Sequence, residues 1–138
     1  MSWIFYALLS AVFAALTAIL AKIGIKDVDS NLATAIRTIV IVLFAWGIVF
    51  YQGTAKQLSG ISRFSLVFLL LSGVATGLSW LFYFHALQIG QASRVAPIDK
   101  LSLVMTIVLA GIFLGEKLTA PVIAGAILMS AGAFLTTL

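Results

Sequence analysis

Trp3–Ala21 reads WIFYALLSAVFAALTAILA, and no charged residue interrupts it. A helix needs ~20 such residues to cross ~30 Å of hydrocarbon. Four more apolar stretches of similar length follow: Asn31–Phe50, Phe64–His85, Ser93–Leu114 and Thr119–Thr137. They fill most of the 138 residues and leave only short loops. The spacing predicts an all-α integral membrane protein, with five transmembrane helices in a single domain over residues 1–138. Transmembrane β-strands are excluded, because the runs are continuous rather than alternating. Five crossings put the termini on opposite faces. A second copy in the same orientation would be related by an axis along the membrane normal. A second copy inserted upside down would make an inverted repeat, the architecture of many alternating-access transporters.

Composition agrees with this class. Hydrophobic residues make up 63% of the chain and charged residues 9%, against roughly 25% charged in soluble domains. The mean hydropathy is +1.23. Met1 and Ser2 carry no basic residue, which argues against a cleavable signal peptide. The chain has no cysteine, so disulfides, thiol catalysis and thiolate metal sites are excluded. With one histidine, no P-loop and no metal-ligand pair, the sequence reads as neither an enzyme nor a metal or cofactor protein. It has no basic face for nucleic acid. The net charge of +4 bears first on topology and lipid headgroups. Lys22, Lys26 and Arg94 lie in the first and third loops, and Lys56, Arg63 and Lys117 in the second and fourth. Arg37 and Lys100 tilt the balance slightly toward an outside N-terminus. Two readings stay open: one fixed orientation, or dual topology with opposite copies paired antiparallel.

Local signals mark helix ends and close approaches. Asp29 or Ser30 suits the cap of the second helix. Thr119 and Pro121 suit the start of the fifth. Trp3 and Tyr51 resemble interface anchors. Ala7, Ala11, Ala14, Ala15 and Ala18 make the first stretch rich in small residues. The pairs Gly73/Gly77 and Gly111/Gly115 also let helix backbones approach.

Chemistry is concentrated at a few polar positions. Asp99 lies ~9 Å along a helix from Ser93, inside hydrocarbon, where an unpaired charge costs several kcal/mol. Neighbours on a helix point ~100° apart, so Asp99 and Lys100 are expected to seek other partners. Arg37, Arg94, His85, Tyr6, Tyr83 and a second subunit are the candidates. The pair reads either as a substrate or proton site or as a packing ion pair with Lys100 snorkelling. Pro97 either interrupts the helix or sits harmlessly in its first turn. Ser72, Thr76, Ser79 and Tyr83 form one polar stripe with Trp80 beside it. Asp99, Ser102 and Thr106 form another. Both suit a cavity wall, and both also suit interhelical hydrogen bonding. Tyr6 shares a face with Ser10 and Thr17. Arg37 is an anion ligand or a snorkelling cation, His85 an interfacial residue, and Glu116 a group that pins its loop.

The segment His85-Ala86-Leu87-Gln88-Ile89-Gly90-Gln91-Ala92-Ser93-Arg94-Val95-Ala96-Pro97, followed by Phe113-Leu114-Gly115-Glu116-Lys117-Leu118-Thr119, resembles the EamA repeat of the drug/metabolite transporter superfamily. The likeness covers the whole chain as one repeat. It implies the single-repeat form, working as an antiparallel homodimer or with a similar short chain. The related four-helix multidrug exporters carry a glutamate in their first helix, whereas the first stretch here has no acid. Asp99 is the remaining intramembrane acid, and Lys100 suits an anionic or zwitterionic solute better than a cationic one. The resemblance implies a multi-pass plasma-membrane transporter (the inner membrane of a prokaryote), exporting an amino-acid-like or amphiphilic metabolite by alternating access. Asp99, Lys100, Ser79, Trp80, Tyr83, Thr76, Ser102, Thr106, Arg37 and Tyr6 are its candidate substrate or coupling residues. Partners are the solute, membrane lipids and a second copy. A flippase for lipids or lipid-linked sugars, and a non-transport assembly partner, are the rival readings. A lateral opening to lipid would mark the first, and a flux insensitive to Asp99→Asn the second.

Overall fold

The computed structural model describes residues 3–138. Its elements are α1 (Trp3–Gly24), α2 (Ser30–Tyr51), a 3-10 helix (Thr54–Gly60), α3 (Arg63–Ile89), α4 (Ala92–Asp99), α5 (Leu101–Leu109), a π-helical turn (Ala110–Leu114) and α6 (Ala120–Leu135). Among the described residues, four segments are long and apolar enough to cross a membrane: Trp3–Gly24, Ser30–Tyr51, Arg63–Ile89 and the stretch Ala92–Leu114. The fifth expected span, Thr119–Thr137, forms a helix of 16 residues. At ~1.5 Å per residue it is ~24 Å long, shorter than a typical hydrocarbon core.

The chain divides into two compact units. One comprises Ala21–Gln88, the other Met1–Leu20 with Ile89–Leu138. In the first, the end of α1 turns through Ile25–Asp29 into α2. Asp29 sits at the N-cap of α2 and its Oδ1 accepts from the amides of Asn31 (2.9 Å) and Leu32 (3.1 Å). That settles the choice between Asp29 and Ser30 as cap. Ser30 is buried instead, together with Thr34. Ala21, Ile25, Phe84 and Leu87 complete the buried set of this unit. Two polar clips hold the α3 end. Lys22 Nζ donates to the Leu87 carbonyl, a cation at a helix C-terminus where the macrodipole favours it. Gln88 Nε2 donates to the Val28 carbonyl at 2.9 Å. These contacts carry α3 one turn past His85, the end expected from hydropathy. At the far end of α2 the 3-10 helix packs against it.

In the second unit, α4 and α5 both pack against α6. Thr119 occupies the N-cap of α6 without a side-chain bond, and Pro121 fits its first turn. Ala18 and Ala133 are the buried residues of this unit. The π-helical turn closes on Gly115, whose φ is +66° and whose amide donates to the Ala110 carbonyl. The Glu116 amide reaches the same carbonyl at 3.3 Å. A Cβ on Gly111 would stand 3.1 Å from Leu118 Cδ1, so this glycine lets the turn fold back on itself. Gly115→Ala forces an L residue into the left-handed region, at a cost of about 1 kcal/mol or more. The expected result is a corresponding loss in reversible denaturation of the purified protein, with helix content unchanged.

Candidate functional site

The candidate residues fall into two groups, one in each unit. In Ala21–Gln88, Arg37 leaves α2 two turns after its cap and lies against α3. Its Cζ is 4.2 Å from the Phe84 ring centroid and 5.8 Å from that of Trp80. Tyr83 packs edge-on against Phe84, with centroids 5.9 Å apart. The spacing that produces this is simple: Trp80, Tyr83 and Phe84 lie at i, i+3 and i+4 of one helix, so their rings are neighbours. Arg37 Nη1 is buried with no hydrogen-bond partner. The sequence left Arg37 open as an anion ligand, a snorkelling cation or a partner for Asp99 and Lys100. The chain folds it against aromatic faces, which departs from the snorkelling reading. Phe84 had no signal as a site residue, because an aromatic in an apolar run reads only as lipid-facing.

The hydroxyl stripe of α3 is partly self-satisfied. Thr76 Oγ1 donates to the Ser72 carbonyl at 2.9 Å, a bond to the preceding turn that Thr makes readily in helices. Ser79 is exposed and makes no hydrogen bond to a described residue. Thr76 and Ser79 therefore lie on the surface of this unit rather than lining an enclosed space. A cavity of about 680 Å³ in the unit lies elsewhere, between Trp46, Val49 and Thr54–Ile61. His85 is exposed, one turn before the α3 end.

The second group centres on the break between α4 and α5. The helix begins at Ala92, so Pro97 lies in its second turn and not its first. A residue there would ordinarily donate to Ser93, and proline has no N–H to give. The chain tightens three residues later: Lys100 has φ −70° and ψ −6°. Its amide reaches Ala96 at 3.2 Å, and the Leu103 amide bonds Lys100 itself at 3.0 Å, an i to i+3 contact. The fourth apolar stretch is thus an interrupted helix. The structure also corrects the expectation that Asp99 and Lys100 need other partners. Lys100 Nζ donates to Asp99 Oδ2 at 3.3 Å, the long lysine stem reaching back to its neighbour. The lysine is the more open of the two, with side chains 55% and 31% exposed. Beyond the break Thr106 Oγ1 bonds the Ser102 carbonyl at 2.8 Å, while the Ser102 side chain stays exposed. Tyr6 is exposed on α1, with its ring edge-on to Phe5. No group of three or more His, Cys, Asp or Glu side chains converges among the described residues.

An acid, a base and a proline-broken apolar helix make a polar interruption inside a hydrophobic span, an arrangement characteristic of transport proteins. Comparison with known proteins agrees. A transporter from Sinorhizobium sp., described as an uncharacterized transporter in the cobO 3' region, is 51% identical over 134 residues, covering 97% of this chain and 95% of the relative. No solved structure matches the chain. The EamA-like transporter family matches residues 1–138. The likeness of Leu114-Gly115-Glu116 and its surroundings therefore reflects kinship: the chain is a multi-pass membrane protein and belongs to the EamA-like transporter family.

Proposed function

We propose that the chain moves a small amphiphilic, amino-acid-like solute across the plasma membrane by alternating access, as an antiparallel pair of identical copies. The observation that carries the reading is the break at Lys100. Asp99 stands about 10 Å along the helix from Ala92, at a depth where charge needs a counter-charge or water. Asp99 and Lys100 present opposite charges side by side, which matches the two ends of a zwitterion. Ser102 and Thr106 extend the same polar face along α5. Thr76, Ser79, Trp80 and Tyr83 on α3 form a separate set of hydroxyls and ring faces within Ala21–Gln88, and Tyr6 presents a phenol on α1. Pairing is supported by what the chain leaves open: a Cβ on Gly73 or Gly77 would meet nothing within 4 Å. Close backbone approach by another helix is the usual use of such a pair in lipid. If α6 crosses a locally thinned bilayer, the crossings number five and the termini face opposite sides. Two oppositely inserted copies are then related by symmetry, and exchanging their conformations interconverts inward and outward states of equal energy.

The test is a single cysteine after Leu138, in a chain that otherwise has none, probed in intact cells with an impermeant maleimide. Labelling of a fraction, with the rest reached only after permeabilisation, is the expected outcome for dual topology. Labelling wholly on one side would end the homodimer reading and direct the search to an oppositely inserted partner chain.

A further inference from the structure

We infer that Arg37, seated on the Phe84 and Trp80 rings, is a fork for an oxyanion: the carboxylate of a solute or the phosphate of an anionic lipid. The inference rests on the transport reading above and names the charged end of what is recognised. Arg37 lies about 10 Å along α2 from Ser30, where a cation with no counter-charge is costly. Yet it makes no ion pair and no hydrogen bond with any described residue. The acids of its own unit do not serve it. Asp29 is committed to the amides that start α2, and Asp27 is exposed on the loop and pairs with nothing described. Lys22, a cation of the same unit, is held by the Leu87 carbonyl.

The ring faces attract the charge of Arg37 and the Tyr83 phenol interacts with it electrostatically, but none of these gives Nη1 a hydrogen-bond acceptor. A guanidinium so placed keeps its forked edge for a planar two-oxygen acceptor, and carboxylate and phosphate match that fork bidentately. A snorkelling arginine would extend along its helix to the headgroups and leave the α3 rings. This one folds across them, and Nη1 is fully covered. An anion reaching Nη1 must shift that cover, so the indole of Trp80 reports the event.

The experiment uses the purified full chain in neutral detergent, with Trp3→Phe and Trp46→Phe leaving Trp80 as the sole indole. Propionate is titrated against its neutral counterpart propionamide while Trp80 emission is read. The same protein in nanodiscs of phosphatidylcholine, with and without phosphatidylglycerol, tests the lipid source. A saturable change with propionate and none with propionamide assigns the fork to a solute carboxylate. A change with phosphatidylglycerol alone assigns it to lipid phosphate. In either case Arg37→Gln should weaken the response at least about tenfold. Arg37→Lys should recover part of it, keeping the charge without the fork. A response unaltered by Arg37→Gln, or no saturable response to either anion, overturns the inference. Because the readout is equilibrium binding, Arg37-dependent binding without flux refutes the transport reading alone. Flux with Arg37-independent emission refutes the fork alone.

Discussion

Pro97→Ala should make the protein more stable and a worse transporter. The stability gain has a ceiling near ~3 kcal/mol, the penalty of proline in a helix interior. Since α4 starts at Ala92, an alanine amide at position 97 would complete the bond to Ser93. It would also remove the ring that crowds that carbonyl. The Lys100 amide, now 3.2 Å from Ala96, would then tighten into a regular turn, and Ala92–Leu114 would run as one helix. Regular geometry reorients Asp99 and Lys100 on the helix surface and with them the pair now at 3.3 Å. Transport would fall because the opposed charges no longer present one zwitterion-matching face. Thermal denaturation in detergent measures the first effect. Counterflow of a radiolabelled amino-acid mixture in proteoliposomes measures the second. Opposite signs in the two assays mark a break kept for function. A stability gain with undiminished counterflow would reduce Pro97 to a tolerated defect.

Hydropathy located α1, α2 and α3 with their starts within one residue and their ends one to four residues short, because partitioning into lipid is a local property of composition. Ends were less legible where tertiary contacts extend a helix. The last turn of α3 exists because Leu87 is fully buried and Gln88 is tied to Val28, and neither contact leaves a periodic trace. The Asp99–Lys100 pair is hard to read for a related reason: helix periodicity sets neighbours apart, and it carries no trace of how far the long lysine stem reaches. Arg37 was visible as an anomaly, but its seat was not. Phe84 lies more than forty positions away, and its place in an apolar run carries no hint that a guanidinium will stack on it. The shorter fifth helix follows from Thr119 and Pro121 at one end and the frayed turn at Thr136 and Thr137 at the other. The hydropathy window counted those threonines as span.

Phe84→Ala should be the most damaging single truncation in Ala21–Gln88, at about 3 kcal/mol, the lower end of the range for buried phenylalanine. The lower end applies because helix association in lipid lacks the usual hydrophobic drive and rests on packing. Phe84 is 1% exposed, so its removal opens a cavity in the buried part of Ala21–Gln88 if the backbone holds. It also takes away the ring 4.2 Å from the Arg37 guanidinium and leaves a desolvated cation with a poorer seat. Phe84→Leu separates these terms. It keeps most of the volume and forfeits the ring, so its cost should be near the ~1 kcal/mol of a cation–π contact. Denaturation of helix content in mixed micelles reads both variants. Combining each with Arg37→Met then isolates the coupling. Phe84→Leu should cost almost nothing once the cation is gone, whereas the cavity penalty of Phe84→Ala should persist. If Phe84→Leu costs the same with and without Arg37, the ring supplies bulk alone, and the orientation of the guanidinium must come from elsewhere in the unit.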